Sequence, residues 1–243
     1  MLGEREQLPL HHDIRRINYI FRRQAGEGQY AKGYSFPDFL FCCSLDTEYN
    51  QHEAGILGFA DEPFSFFEQV APLVGYKAFS YCFPSDKRKA GYLSLGNYSR
   101  VSSTSYTPLS RAFQRSTYAL KLDEVVVNGV ALVTTPAEMI VDTGAKWTIL
   151  LAHTFDQLDT VITEAIKPLK YNPMELKFDM GVTLTLPPQS SFLIDKDFGL
   201  CSYFMRHSGL ISGVQILGNS MTRSVGVTFD IQGGRFAFRN GDC

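Results

Sequence analysis

EMIVDTGAKWTIL, residues 138–150, runs a β-branched and aliphatic stretch into Asp142 and then into Thr-Gly. Such residues suit a buried strand, and glycine suits the tight turn that ends one. The reading therefore puts the Asp142 carboxylate where a buried strand enters a turn. A carboxylate so placed can act in acid–base chemistry when a second one stands beside it, which raises the question whether the rest of the chain holds such a partner.

The chain has 243 residues, of which 44% are hydrophobic, enough for one large domain or two lobes. A formal charge of −2 gives no global attraction to nucleic acid or an anionic membrane. The basic cluster RRINYIFRR, from Arg15 to Arg23, reads as a solvated edge. No apolar run reaches the length of a membrane span, and MLGEREQLPLHHDIRR lacks the apolar core of a secretory leader. Five cysteines (Cys42, Cys43, Cys82, Cys201, Cys243) show no metal-site spacing, and no metal or cofactor is expected. Asn97-Tyr-Ser is a formal glycosylation sequon. Together with the odd cysteine count, this reads as a piece of something longer.

Strand signals dominate. GYLSLGN (91–97) and VTLTLPP (182–188) alternate at period two. YALKLDEVVVNGVALV (118–133) carries the hairpin turn signal Asn128-Gly129, and VGVTFDIQGGRFAFRN (225–240) predicts a second hairpin turning at Gly233-Gly234. In TFDQLDTVITEAIKPL, Phe155, Leu158, Val161, Ile162, Ala165, Ile166 and Leu169 share a helical face, with Thr154 and Gln157 as a capping box. A shorter helix is expected after Pro63, with Phe64, Phe67 and Val70 on one face. SRVSSTSYTPLSR (99–111) has the composition of a connector.

An internal echo organises the chain. GILGF (55–59) recurs as QILGN (215–219), and two aliphatic residues before glycine suit a buried strand pressed against a close neighbour. Leu217 lies 75 positions after Asp142, so the same spacing applied to Leu57 puts a first-copy aspartate upstream of Met1.

These motifs, in order, resemble the pepsin-like aspartic proteases (peptidase A1), in the plant nepenthesin-type branch that also holds xylanase-inhibitor-like proteins. EAGILGFADEPFSFFEQV, KAFSYCF and GYLSLG match the end of its N-terminal lobe. YALKLDEVVVNG, MIVDTGAKWTIL, MELKFDMGVTLTLPP, QILGNSMTRSVGVTFDIQGGRFAF and the terminal GDC match its C-terminal lobe. The resemblance implies a mostly β, bilobal fold, with residues 1–105 as a partial N-terminal lobe and 106–243 as a nearly complete C-terminal lobe. It also implies that Asp142 is catalytic, with Thr143, Gly144 and Thr148 in support. Thr143 would bond to its counterpart across the cleft floor, and Gly144 would permit the tight turn. Cys82–Cys243 is the expected disulfide. The resemblance further implies a peptide or protein substrate, and a secreted or vacuolar location that the N-terminus does not itself signal.

The departures are as telling. No Asp-Thr-Gly or Asp-Ser-Gly precedes Asp142. The best match to the family's flap is AGEGQY (25–30), with Ala25 in place of its tyrosine, and Ala145 stands where a hydroxyl is usual. Cys42 replaces a usual glycine, and Cys201 is expected to lack its partner. The chain alone is therefore expected to be impaired as an endopeptidase. A catalytically inactive protein-binding homologue and a non-functional truncated product are the alternatives.

Overall fold

The computed structural model describes residues 13–22, 33–43, 56–86, 88–96, 105–110, 117–132, 134, 136–166, 173–197, 199–207, 214–241 and 243. The chain divides into two compact units, Met1–Val70 and Ala71–Cys243.

In the first unit β1 (Asp13–Arg22) pairs antiparallel with β2 (Gly33–Cys43), with an irregularity between Ile17 and Tyr19. The helix expected after Pro63 is α1 (Phe66–Val70). Ser65 caps it, its hydroxyl accepting the Glu68 amide at 3.1 Å. Phe66, Phe67 and Val70 are buried, whereas Phe64, expected on the same face, lies before the helix and is exposed. Phe66 packs on Phe39 and Phe59 at ring distances of 5.7 and 5.4 Å. The Gln69 amide donates to the Leu40 carbonyl and accepts its N–H, fastening α1 to β2 as a backbone pair would.

The second unit holds two main sheets. Its first strands are β3 (Ala78–Cys82), β4 (Tyr92–Leu95) and β5 (Thr107–Pro108). The Asn-Gly hairpin forms as β6 (Ala119–Val127) and β7 (Val130–Ala131), with φ of 52° at Asn128 and 78° at Gly129. This left-handed pair is what the two-residue turn requires. There follow β8 (Ala137–Asp142), β9 (Thr148–Leu150), α2 (Ala152–Ile166), β10 (Met174–Phe178), β11 (Val182–Leu186) and α3 (Pro188–Ser191). The chain continues through β12 (Phe192–Asp195), β13 (Gly199–Ser202), β14 (Phe204–Arg206) and β15 (Gln215–Gly218). It ends with the predicted hairpin, β16 (Val225–Asp230) and β17 (Arg235–Asn240).

One sheet runs β11-β10-β6-β8-β15-β9-β14, with β7 on β6; the other runs β4-β3-β16-β17-β5. Strands on both sides of the expected boundary at residue 105 thus share the second sheet, which is why residues 71–105 cluster with the rest of this unit. Alternation sorts the side chains. Met174, Leu176 and Phe178 face Val182, Leu184 and Leu186 inward, and all six are buried. Phe79, Tyr118 and Phe236 surround Phe229 at ring distances of 4.5, 4.9 and 4.7 Å. Cys82 and Cys243 form the expected disulfide across 161 positions, which ties β3 to the C-terminus and is worth about 2–5 kcal/mol.

Helix α2 begins earlier than the capping box implied. The Leu151 carbonyl accepts the first helical bond, and the buried Gln215 side chain accepts the Leu151 N–H at 3.3 Å. Thr154 is therefore a buried first-turn residue, and Gln157 bonds back to His153 instead of closing a cap. Leu158 and Ile162 are buried as the periodicity requires.

Candidate functional site

Strands β8 and β9 are consecutive in sequence, yet β15 lies between them. It runs parallel to β8, with Met139 opposite Gln215 and Asp142 opposite Gly218, and pairs with β9 at Ile216–Ile149. The connection 143–147 therefore has to cross the C-terminal end of β15. The crossing is close: a Cβ on Gly218 would stand 2.4 Å from the Trp147 carbonyl oxygen. Glycine is needed there for space, since its backbone is extended, with φ −81°.

Asp142 ends β8 with its side chain exposed. The Gly144 N–H donates to Asp142 Oδ1 at 2.8 Å. Gly144 does not have positive φ, and a Cβ there would lie 3.2 Å from the same oxygen. The residue serves close approach to the carboxylate, a more specific reason than the turn for which the sequence expected it. Thr148 is fully buried, and its hydroxyl oxygen accepts the Gly218 N–H at 3.0 Å. At Thr143 the described bond is made by the carbonyl, which accepts from Asn219 Nδ2 at 2.9 Å, while the side chain is exposed. The Asn219 N–H donates to the Ala145 carbonyl at 2.8 Å. Three bonds thus clamp the turn to the end of β15 and to the 3-10 turn Asn219–Thr222.

Tyr81 on β3 is buried. Burial pushes its phenol well above the usual range, Thr222 pulls it partly back, and the negative charge of Asp142 adds to the push. It is a neutral hydroxyl at any working pH. Beside the turn, Lys146 Nζ sits 4.6 Å over the Trp147 ring, and Trp147 packs on Tyr203 at 5.4 Å.

Sequence reasoning brought Asp142, Thr143, Gly144 and Thr148 to one turn, which the structure places together. It missed Gln215, Asn219 and Tyr81. The first and last residues of QILGN were visible as the flanks of the echo, but nothing in the sequence gave them partners. Asn97, the flap match 25–30, His11, His12 and His52 lie outside the described residues, as do the side chains of Arg15, Arg22, Cys42 and Cys43. Cys201 is a free, half-buried thiol on β13. Among the described residues no group of three or more His, Cys, Asp or Glu is placed to hold a metal ion, and no helix is long and apolar enough to cross a membrane.

The xylanase inhibitor N-terminal family model matches residues 20–97. An aspartyl protease family protein of Arabidopsis thaliana is 28% identical, over 78% of this chain and 45% of its own length. The chain thus spans about half the length of that curated relative. Among solved structures, basic 7S globulin from soybean superposes with a TM-score of 0.73 at 16% identity, over 85% of this chain and 63% of its own. Conglutin gamma from lupine seeds gives 0.73 at 16%, over 94% and 67%. At these identities the two structures establish a shared, mostly β fold.

Proposed function

We propose that the chain belongs with the pepsin-like aspartic proteases, as the family match at 20–97 and the 28% identical aspartyl protease family protein support, and that it carries one half of an aspartic endopeptidase site, with Asp142 as its carboxylate. The observation that carries this reading is the pinned turn: an exposed carboxylate at a strand end, accepting the Gly144 amide, over a buried Thr148–Gly218 bond. Two carboxylates sharing one proton cannot both ionise, so one stays basic and the other acidic. The basic member takes a proton from water held between them, and the acidic member protonates the scissile carbonyl. Asp142 alone lacks the sharing partner. Because paired catalytic groups act as a unit, the chain by itself is impaired by many orders of magnitude.

On this reading residues 1–105 belong to one lobe and 106–243 to the other, and the substrate is an internal peptide bond. The setting is an acidic compartment, vacuolar or outside the cell.

The test is peptide cleavage at about pH 4 by the chain, by Asp142→Asn, and in the presence of a pepstatin-type inhibitor. No cleavage in any arm is expected. Cleavage abolished by both treatments would show that a second carboxylate is recruited, and would overturn the impairment. Cleavage that survives Asp142→Asn would overturn the mechanism. A second reading, an inactive protein-binding homologue, is favoured by the family match at 20–97. Saturable binding of a glycosidase by the Asp142→Asn chain in calorimetry would support it.

A further inference from the structure

We infer that Asn219 is a positioning residue for Asp142, acting through the Thr143–Gly144 peptide plane; the inference rests on the reading of Asp142 as the acting carboxylate. A trans peptide unit is rigid, and its carbonyl and N–H point to opposite sides. Here both ends of one unit are engaged. The Thr143 carbonyl accepts from Asn219 Nδ2 at 2.9 Å, and the Gly144 N–H donates to Asp142 Oδ1 at 2.8 Å. Fixing the carbonyl therefore aims the N–H at the carboxylate. If the unit rotates, Asp142 loses the donor that holds it.

Glycine at 144 makes the restraint necessary. A peptide unit followed by glycine has a shallow rotational landscape, because no Cβ limits it. With no side chain at 144, the unit has to be held from outside. Asn219 is held in turn. Its backbone N–H reaches the Ala145 carbonyl at 2.8 Å, and its own carbonyl accepts the Thr222 hydroxyl at 3.3 Å. Gly218, one residue before, is locked by Thr148 and by the crossing chain at Trp147. The amide side chain thus projects from a fixed base on the end of β15, and its donor reaches the Thr143 carbonyl.

The role separates from simple space filling. Asn219→Ala removes the donor and leaves both backbone bonds. Asn219→Asp keeps the shape and sets an acceptor against the Thr143 carbonyl, where two acceptors cannot bond. The probe is the Gly144 amide of the full-length, nitrogen-15-labelled chain, read by hydrogen exchange and by the pH dependence of its chemical shift. Asp142→Asn identifies the part of that dependence due to Asp142. In both Asn219 variants the Gly144 amide should exchange about tenfold faster, as for loss of one hydrogen bond, and should stop following Asp142. Amides of β16 should be unchanged.

Three outcomes would overturn the inference. These are a Gly144 amide untouched in either variant, an Asn219→Asp chain that behaves as the parent while only Asn219→Ala changes, and loss of protection throughout β16. The readout is a hydrogen bond and not turnover, so a chain that cleaves nothing at about pH 4 leaves it standing.

Discussion

Ile56-Leu57-Gly58 and Ile216-Leu217-Gly218 are the same three residues in two different states. The second copy is β15, between β8 and β9, with Leu217 at 1% exposure. The first is irregular backbone, with Ile56 86% and Leu57 46% exposed, and no described strand pairs with it. A Cβ at Gly218 would collide with backbone, whereas at Gly58 it would meet nothing within 4 Å. The tripeptide has strand propensity in both places, but only the copy with strands on either side becomes one. β-Propensity measures fit to neighbours more than any preference of the backbone itself.

Substituting both glycines is the strongest way to break this comparison. Gly218→Ala should cost roughly 3 kcal/mol or more, because the atom it would meet at 2.4 Å is a carbonyl that cannot swing away. Gly58→Ala should stay within about 0.5 kcal/mol. Urea unfolding of both variants checks the pair. Equal costs would mean that the first copy is also pressed against a neighbour.

The leucines make a softer version of the same test. Leu217→Ala empties a fully enclosed position and should cost about 2–4 kcal/mol, against less than about 1 kcal/mol for Leu57→Ala. Thr148→Val should fall between these effects. It keeps the shape and leaves the Gly218 N–H buried without its acceptor, at about 1–3 kcal/mol. Thermal unfolding of the three variants ranks them. A Thr148→Val chain as stable as the parent would show that the crossing is held by sterics alone.

What could be read in the sequence follows the same division. Where a pattern closes on itself over a few residues, the reading held: Asn128-Gly129 set the first hairpin, Gly233-Gly234 the second, and Leu158 and Ile162 the buried face of α2. Where a residue's state depends on chain far away, the reading failed. The first ILG was expected to be a buried strand. Thr154 was assigned a cap that Leu151, held by Gln215 from 64 positions away, displaces. Asn219 was one letter in an echo until the turn 143–145 was seen beneath it. Cys82–Cys243 was recovered across 161 positions because the family resemblance supplied what the local sequence does not hold.

The smallest expected effect concerns how the second sheet, which holds β16 and β17, fares in acid. Asp230, at the end of β16, is 2% exposed. Burial alone would raise its carboxyl, but Arg235 at 2.7 Å, the Gly233 N–H at 2.8 Å and the Tyr76 hydroxyl at 2.9 Å outweigh it and hold the group below its ordinary 3.8. Arg235 is itself stacked over Tyr106 at 4.1 Å, which keeps its fork aimed at the carboxylate. A carboxyl depressed on folding contributes stability that is fully present above its unfolded value, and loses it as pH falls through the lower folded value. The contribution is therefore intact above about pH 4 and fades below it. Asp230→Asn should cost stability at pH 6, and its difference from the parent should shrink as pH falls from there toward about pH 2.5, as the carboxyl takes up its proton. Urea unfolding at the two pH values checks it. A difference that stays constant would mean that Asp230 acts through its hydrogen-bonded shape and not its charge, and that the hairpin's acid tolerance has another origin.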